Sequence, residues 1–177
     1  MKANYRTPGV VIGVALGALL IGITAYAAVS QVIAVGTMDH SDLVGGPATV
    51  TMRLLTIAPG EVLAWHYHPG GGAYTIVKNG TLNVEDGCGG ETVYTGGQAF
   101  LEPPGRVHRG KNLTGEPVVT AQTFIVPTGS PISVSTGQLC GPPAIVGECK
   151  GGGWMDFNHP HSFTSQGDCM QYVITGR

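Results

Sequence analysis

Between Ala48 and Val126 the chain is cut into seven short runs rich in β-branched and aromatic residues: TVTMRLLTI, VLAWHYH, AYTIVK, TLNVED, ETVY, AFLEP and PVVTAQTFIV. Turn-forming residues, chiefly Gly, Pro, Asn and Asp, lie between them, which breaks a strand and lets the chain reverse. Runs this short and this regularly spaced cannot bury a face alone, and they find partners by closing into an antiparallel sandwich or barrel. Asn79-Gly80, between Lys78 and Thr81, reads as a two-residue hairpin, because both positions tolerate positive φ. No helical period is legible beyond residue 27. Composition agrees, since only 11% of residues are charged while 29 are Gly and 12 are Pro, too few Lys, Glu and Arg to solvate helices. At 177 residues and 42% apolar content the chain can bury one core but not two. The formal net charge of -2 carries no basic excess for a phosphate backbone, which excludes nucleic acid as an expected partner and leaves small molecules.

The two ends differ from this middle. Lys2 and Arg6 precede an uncharged apolar run from Val10 to Ile23, and Ala25-Tyr26-Ala27 has the small-x-small form of a cleavage site. Residues 1–27 therefore read as a signal peptide cut after Ala27, giving an exported, periplasmic or secreted protein. Apolar character continues through AAVSQVIAVG, so an uncleaved anchor is the alternative, and only that alternative brings a membrane in as partner. Residues 28–47 read as a connector or an edge strand, residues 48–130 as the barrel, and residues 131–177 as an irregular extension, too poor in periodic apolar residues for a second core.

Export gives the four cysteines a role, because oxidising compartments favour disulfides. Cys140 and Cys149 bracket the short loop GPPAIVGE, which suggests a 140–149 bridge and leaves Cys88 for Cys169, one of three pairings four cysteines allow. No C-x-x-C occurs, which argues against thioredoxin-like redox chemistry.

The chemistry concentrates in AWHYHPGGGAY, Ala64 to Tyr74. Alternate residues of a strand share a face, so His66 and His68 offer two imidazoles to one ion while Trp65 and Tyr67 point the other way. Alone the pair is a weak signal, since two histidines also line ordinary half-polar surfaces. Gly70-Gly71-Gly72 frees the chain to turn beside them, and Pro103-Pro104-Gly105 makes a sharp turn that leads into His108. Gln122 shares a face with Thr120 and Phe124, and a buried amide there needs a partner such as metal-bound water. Tyr74 alternates with Ala73 and points away. Glu102, before Pro103, has the chemistry of a general base but no acid paired with it. His159-Pro160-His161 repeats the His-x-His spacing without a strand pattern, and its proline favours a loop over the barrel mouth.

A longer pattern connects these residues. Gly60, then five residues to His66-x-His68, and Gly80 with six residues between it and Ala73 resemble the first motif of the cupin family; Gly97, Pro103-x-Gly105, His108 and Asn112 resemble its second at every fixed position. The resemblance spans roughly residues 48–127. It implies a single-domain antiparallel jelly-roll barrel with a metal held inside by two histidines and a glutamate of the first motif and one histidine of the second. His66, His68 and His108 match those ligands, whereas Ala73 stands where the glutamate belongs. Three imidazoles still suit a divalent metal, with zinc or iron expected, while chemistry that depends on the glutamate, such as manganese-type oxidase or decarboxylase activity, loses support. The resemblance is compatible with a metal-dependent oxygenase or isomerase-type enzyme, with a non-catalytic small-molecule binding or sensing barrel, and with a homodimer. A third expectation is a small exported scaffold held by disulfides.

Overall fold

The computed structural model describes residues 28–176. The expected signal peptide, residues 1–27, lies outside the described residues. Among the described residues no helix is long and apolar enough to cross a membrane.

Among the described residues ten strands form two five-stranded sheets. In chain order they are β1 (Val29–Ser41), β2 (Gly46–Ile57), β3 (His66–Tyr67), β4 (Ala73–Asn79), β5 (Thr81–Asp86), β6 (Glu91–Thr95), β7 (Ala99–Glu102), β8 (His108–Lys111), β9 (Val118–Pro127) and β10 (Val134–Ser135). One sheet runs β1-β2-β9-β4-β7, the other β10-β3-β8-β5-β6, and every pairing is antiparallel. The expected all-β jelly-roll barrel is what forms. Residues 29–41 make the outermost strand β1, which pairs only with β2 and is exposed along its length except at Ser41.

Asn79-Gly80 does not close a hairpin. Strand β4 pairs with β7 and β9, whereas β5 pairs with β6 and β8, so the turn is a corner that carries the chain from one sheet to the other. Gly80 still takes the positive φ, 85°, that the turn needs. Asn79 does not take positive φ, so only the glycine half of the expected turn appears, and a local signal cannot say whether the strands it joins will share a sheet.

Interior positions follow the two-residue period. On β9, Val118, Thr120, Gln122, Phe124 and Val126 point inward, and on β4, Ala73, Thr75 and Val77 do the same while Tyr74 and Ile76 face out. Leu55, Ile57, Val77, Leu82 and Val118 form one apolar cluster, and Ala73, Phe124 and Val126 form another. Each fully buried Val or Ile contributes about 1.5–3 kcal/mol relative to exposure. Between the clusters the same strands carry polar residues. Arg53, Gln122 and Thr75 are register partners across β2, β9 and β4, so the barrel is layered apolar, polar, apolar.

The extension departs from expectation in two ways. Gln166–Thr175 forms helix α1, capped by the Ser165 hydroxyl, which accepts from the Asp168 N–H at 3.1 Å, and closed by Gly176 at φ 73°. Before it, 3-10 turns lie within Val146–Met155. Phe157 and Phe163 pack with the half-cystines and with Trp154, Met170, Tyr172 and Val173 into a small satellite cluster. The disulfides are Cys88–Cys140 and Cys149–Cys169, not the pairing suggested by loop length. Cys140 is tied to the barrel instead, by its bridge to Cys88 and by the Val107 N–H donating to Gly141 O. The loop after it leads on to Cys149, which meets Cys169 of α1 in the same satellite cluster.

Candidate metal centre

His66 begins β3, His68 follows that strand directly, and His108 begins β8 as the residue opposite His66. Tyr67 lies between the first two, so strand alternation turns both imidazoles inward. The Pro103-Pro104-Gly105 turn fixes the third: Gly105, at φ 69°, donates its N–H to His68 O at 2.8 Å, tying the turn before His108 to the first motif. The three ring centroids lie 4.6 to 5.1 Å apart. One ring nitrogen from each comes within 4.8 Å of the others, a group that could hold a metal ion. His68 and His108 are buried, and His66 is half-buried.

The far nitrogens set the chemistry of the near ones. His66 Nδ1 lies 2.8 Å from Ala64 O, His68 Nδ1 2.6 Å from Ile132 O, and His108 Nδ1 2.8 Å from Arg106 O. A carbonyl oxygen only accepts, so each Nδ1 carries the proton and donates it. In the neutral rings each Nε2 then presents a bare lone pair, the tautomer and orientation that backbone partners impose on metal-binding histidines. The Nε2 atoms of His68 and His108 are buried without a hydrogen-bond donor or acceptor assigned to them, the condition in which a cation is the missing partner. The donor set therefore fits a divalent metal.

Glu102 adjoins two of the three rings, although the sequence offered it no partner. Its Oε2 stands 2.9 Å from His68 Nε2 and 3.5 Å from His108 Nε2, and its Oε1 accepts from the Thr75 hydroxyl at 3.3 Å. The chain of contacts continues outward. Gln122 Nε2 donates to Thr75 Oγ1 at 3.2 Å, and Arg53 Nε donates to Gln122 Oε1 at 2.8 Å. The buried amide of Gln122 is thus satisfied by Arg53 and Thr75 rather than by a ligand. No sequence motif marks Arg53 and Thr75, though both fall on inward positions of recognisable strands.

The electrostatics follow from burial and proximity. Burial, reinforced by His108 and His68, lowers His66 to about 4. Burial alone would push the Glu102 carboxyl up, but the hydrogen bonds and charges of His108 and His68 hold it below the usual carboxylate range. Burial opposes the charge on His108, and the contact with Glu102 outweighs it and raises that ring. Beside the three rings opens a cavity of ≈ 210 Å³ whose lining includes Arg53, Leu55, Leu63, Leu82, Thr120 and Ser133. It has room for several waters or one small molecule.

The other sequence candidates lie elsewhere. Tyr74 faces outward on β4. His159 packs against Tyr67 at 5.1 Å, and His161 packs against Phe163 and Tyr172. Neither belongs to the three-histidine group. Asn112, the last fixed residue of the second motif, is fully buried and donates to Ile57 O and Glu116 O, a role in holding the loop rather than in the site.

Comparison with known proteins follows this geometry. Residues 53–127 match the family model of the cupin domain. Among solved structures, a conserved protein with a double-stranded β-helix domain from Klebsiella pneumoniae is 19% identical, with 62% of this chain and 84% of that chain covered and a TM-score of 0.46. A cupin superfamily protein from Desulfitobacterium hafniense is 14% identical over 56% of this chain and 78% of that one, at a TM-score of 0.43. A mutant of Bacillus subtilis oxalate decarboxylase is 21% identical over 49% of this chain and 23% of its own, also at 0.43. Comparison with curated protein sequences finds no match.

Proposed function

We propose that this chain, whose residues 53–127 match the family model of the cupin domain, holds one divalent metal ion, zinc or iron, through His66, His68 and His108, beside a cavity that takes a small molecule. The observation that carries this reading is the tautomer lock: three Nδ1 donors are spent on backbone carbonyls, which leaves three Nε2 lone pairs within reach of one point. When bound there, a divalent ion supplies Lewis acidity to an oxygen of the small molecule. The chain's own residues do the rest. Leu55, Leu63 and Leu82 keep the cavity wall dry, and Arg53 presents a guanidinium whose Nε alone is occupied, by Gln122. Export is part of the same proposal and is supported by the basic and apolar pattern of residues 1–27 and by the pairing of all four cysteines.

A binding or sensing role, without turnover, is the second reading. It is favoured by the engagement of Glu102, the carboxylate of the cavity, with His68, His108 and Thr75, which leaves no free acid and base pair facing a ligand. Elemental analysis of the purified full chain tests the metal. Near-stoichiometric zinc or iron that disappears in a His66→Ala, His68→Ala variant supports the site, and a metal-free wild type removes it.

A further inference from the structure

The fold brings a carboxylate to the place the first motif leaves bare. Ala73 on β4 and Glu102 on β7 are directly paired residues, and both are buried in the interior, at 0% and 6% exposure. Opposed residues of an antiparallel pair have Cβ atoms about 4.5–5.5 Å apart, a gap that the two methylenes and carboxylate of a glutamate can cross. A carboxylate rooted on β7 can therefore reach the region a β4 side chain would fill, provided the β4 residue is small. Alanine meets that condition. Gly72 meets a second one, because a Cβ there would be driven into the Glu102 carbonyl oxygen.

The two carboxylate oxygens of Glu102 have different surroundings. Oε1 accepts from Thr75, whose hydroxyl is in turn held by Gln122 and so linked to Arg53. Oε2 is buried with no donor assigned to it, facing His68 Nε2 and His108 Nε2 at 2.9 and 3.5 Å. With the ring protons on Nδ1 and the rings neutral, those contacts bring lone pair against lone pair, an arrangement that repels unless a cation, either a proton held along the contact or a metal ion, stands among them. Ligands bound tetrahedrally about 2.0–2.1 Å from zinc are roughly 3.3–3.5 Å from one another. The His108 separation of 3.5 Å falls at the top of that range, and the His68 separation of 2.9 Å is shorter.

We propose that Glu102 is a metal ligand, completing with His66, His68 and His108 a site of three imidazoles and one carboxylate in which the carboxylate comes from β7 across from Ala73. The proposal rests on the three-histidine reading above and deepens it. Thr75, Gln122 and Arg53 are positioning residues that aim the carboxylate. A harder oxygen donor also restores affinity for manganese, which three imidazoles alone favour less.

The test uses the full chain and three variants: Glu102→Gln, the double variant Glu102→Ala with Ala73→Glu, and His66→Ala with His68→Ala. Zinc and manganese affinities are measured by chelator competition, and the visible absorption of the cobalt(II) form reports the donor set. Thermal melts confirm that each variant is folded, with the near-isosteric glutamine as the safeguard. Glu102→Gln is expected to lose at least about tenfold in affinity and to shift the cobalt bands, and the relocated glutamate to recover most of both. Wild-type affinity and unchanged bands in Glu102→Gln overturn the proposal while leaving the histidine site standing. Unchanged affinity in the double-histidine variant, or a wild type that binds no metal, overturns the underlying site and this proposal with it.

Discussion

The chain contains His-x-His twice, at 66–68 and at 159–161, and the structure uses the two copies in opposite ways. The first lies at a strand, where the two-residue period turns both rings inward and backbone carbonyls fix their tautomers. The second lies in the extension, where one ring rests on Tyr67 and the other on Phe163 and Tyr172. Spacing alone therefore does not make a ligand pair. What distinguishes them is a regular backbone that gives alternate residues one direction and a facing strand that supplies a third ring.

The largest effect expected from that contrast is on metal content. Replacing His66 and His68 by alanine should drop bound metal from near one per chain to background by elemental analysis, whereas replacing His159 and His161 should leave it unchanged. Metal loss in the second pair would make the extension part of the site. Next in size is the extension's own staple. Cys149 and Cys169, 20 residues apart, close a loop whose removal costs about 3 kcal/mol in the chain-entropy account. Changing both to serine should lower the stability of the satellite cluster, seen by denaturant unfolding followed at Trp154, with metal content retained.

How much of this was legible follows the same division. The strand runs, the inward alternation of Gln122 and the outward turn of Tyr74 could be read because period and turn chemistry are local. The pairing of Glu102 with His68 and His108 could not, because it depends on β7 lying beside β4 in a register that puts Glu102 opposite Ala73. Asn79-Gly80 failed as a hairpin for the same reason, its strands being in different sheets. Helix α1 did leave a signal in Ser165 and Asp168, the start of a capped helix, but its ten residues carry too weak an apolar stripe to outweigh the surrounding Gly and Pro. The disulfides follow tertiary placement of Cys140 that loop length does not encode.

A smaller effect should come from the polar layer. Thr75→Val keeps the shape of the side chain and removes both the donor to Glu102 Oε1 and the acceptor of Gln122 Nε2, at a cost of about 2 kcal/mol for two net hydrogen bonds, measurable by denaturant unfolding of metal-free protein. An unchanged midpoint would remove Thr75 as the group that holds the carboxylate. Smallest is the acid response of the extension. The Thr164 backbone and hydroxyl hold Asp168 below its ordinary 3.8, so the charged carboxylate is favoured in the folded state. That contribution is present above pH 3.8 and is lost as pH falls through the lowered value. Asp168→Asn should remove this part of the acid sensitivity of α1 without altering that of the barrel, as followed by far-UV circular dichroism.

Zinc K-edge X-ray absorption on the metal-loaded full chain bears most directly on the convergence of three imidazoles. Three histidine rings in the scattering pattern, falling to two in His108→Ala, are the predicted result. A wild-type pattern with fewer than three rings, or one unchanged when His108 is replaced, would contradict it.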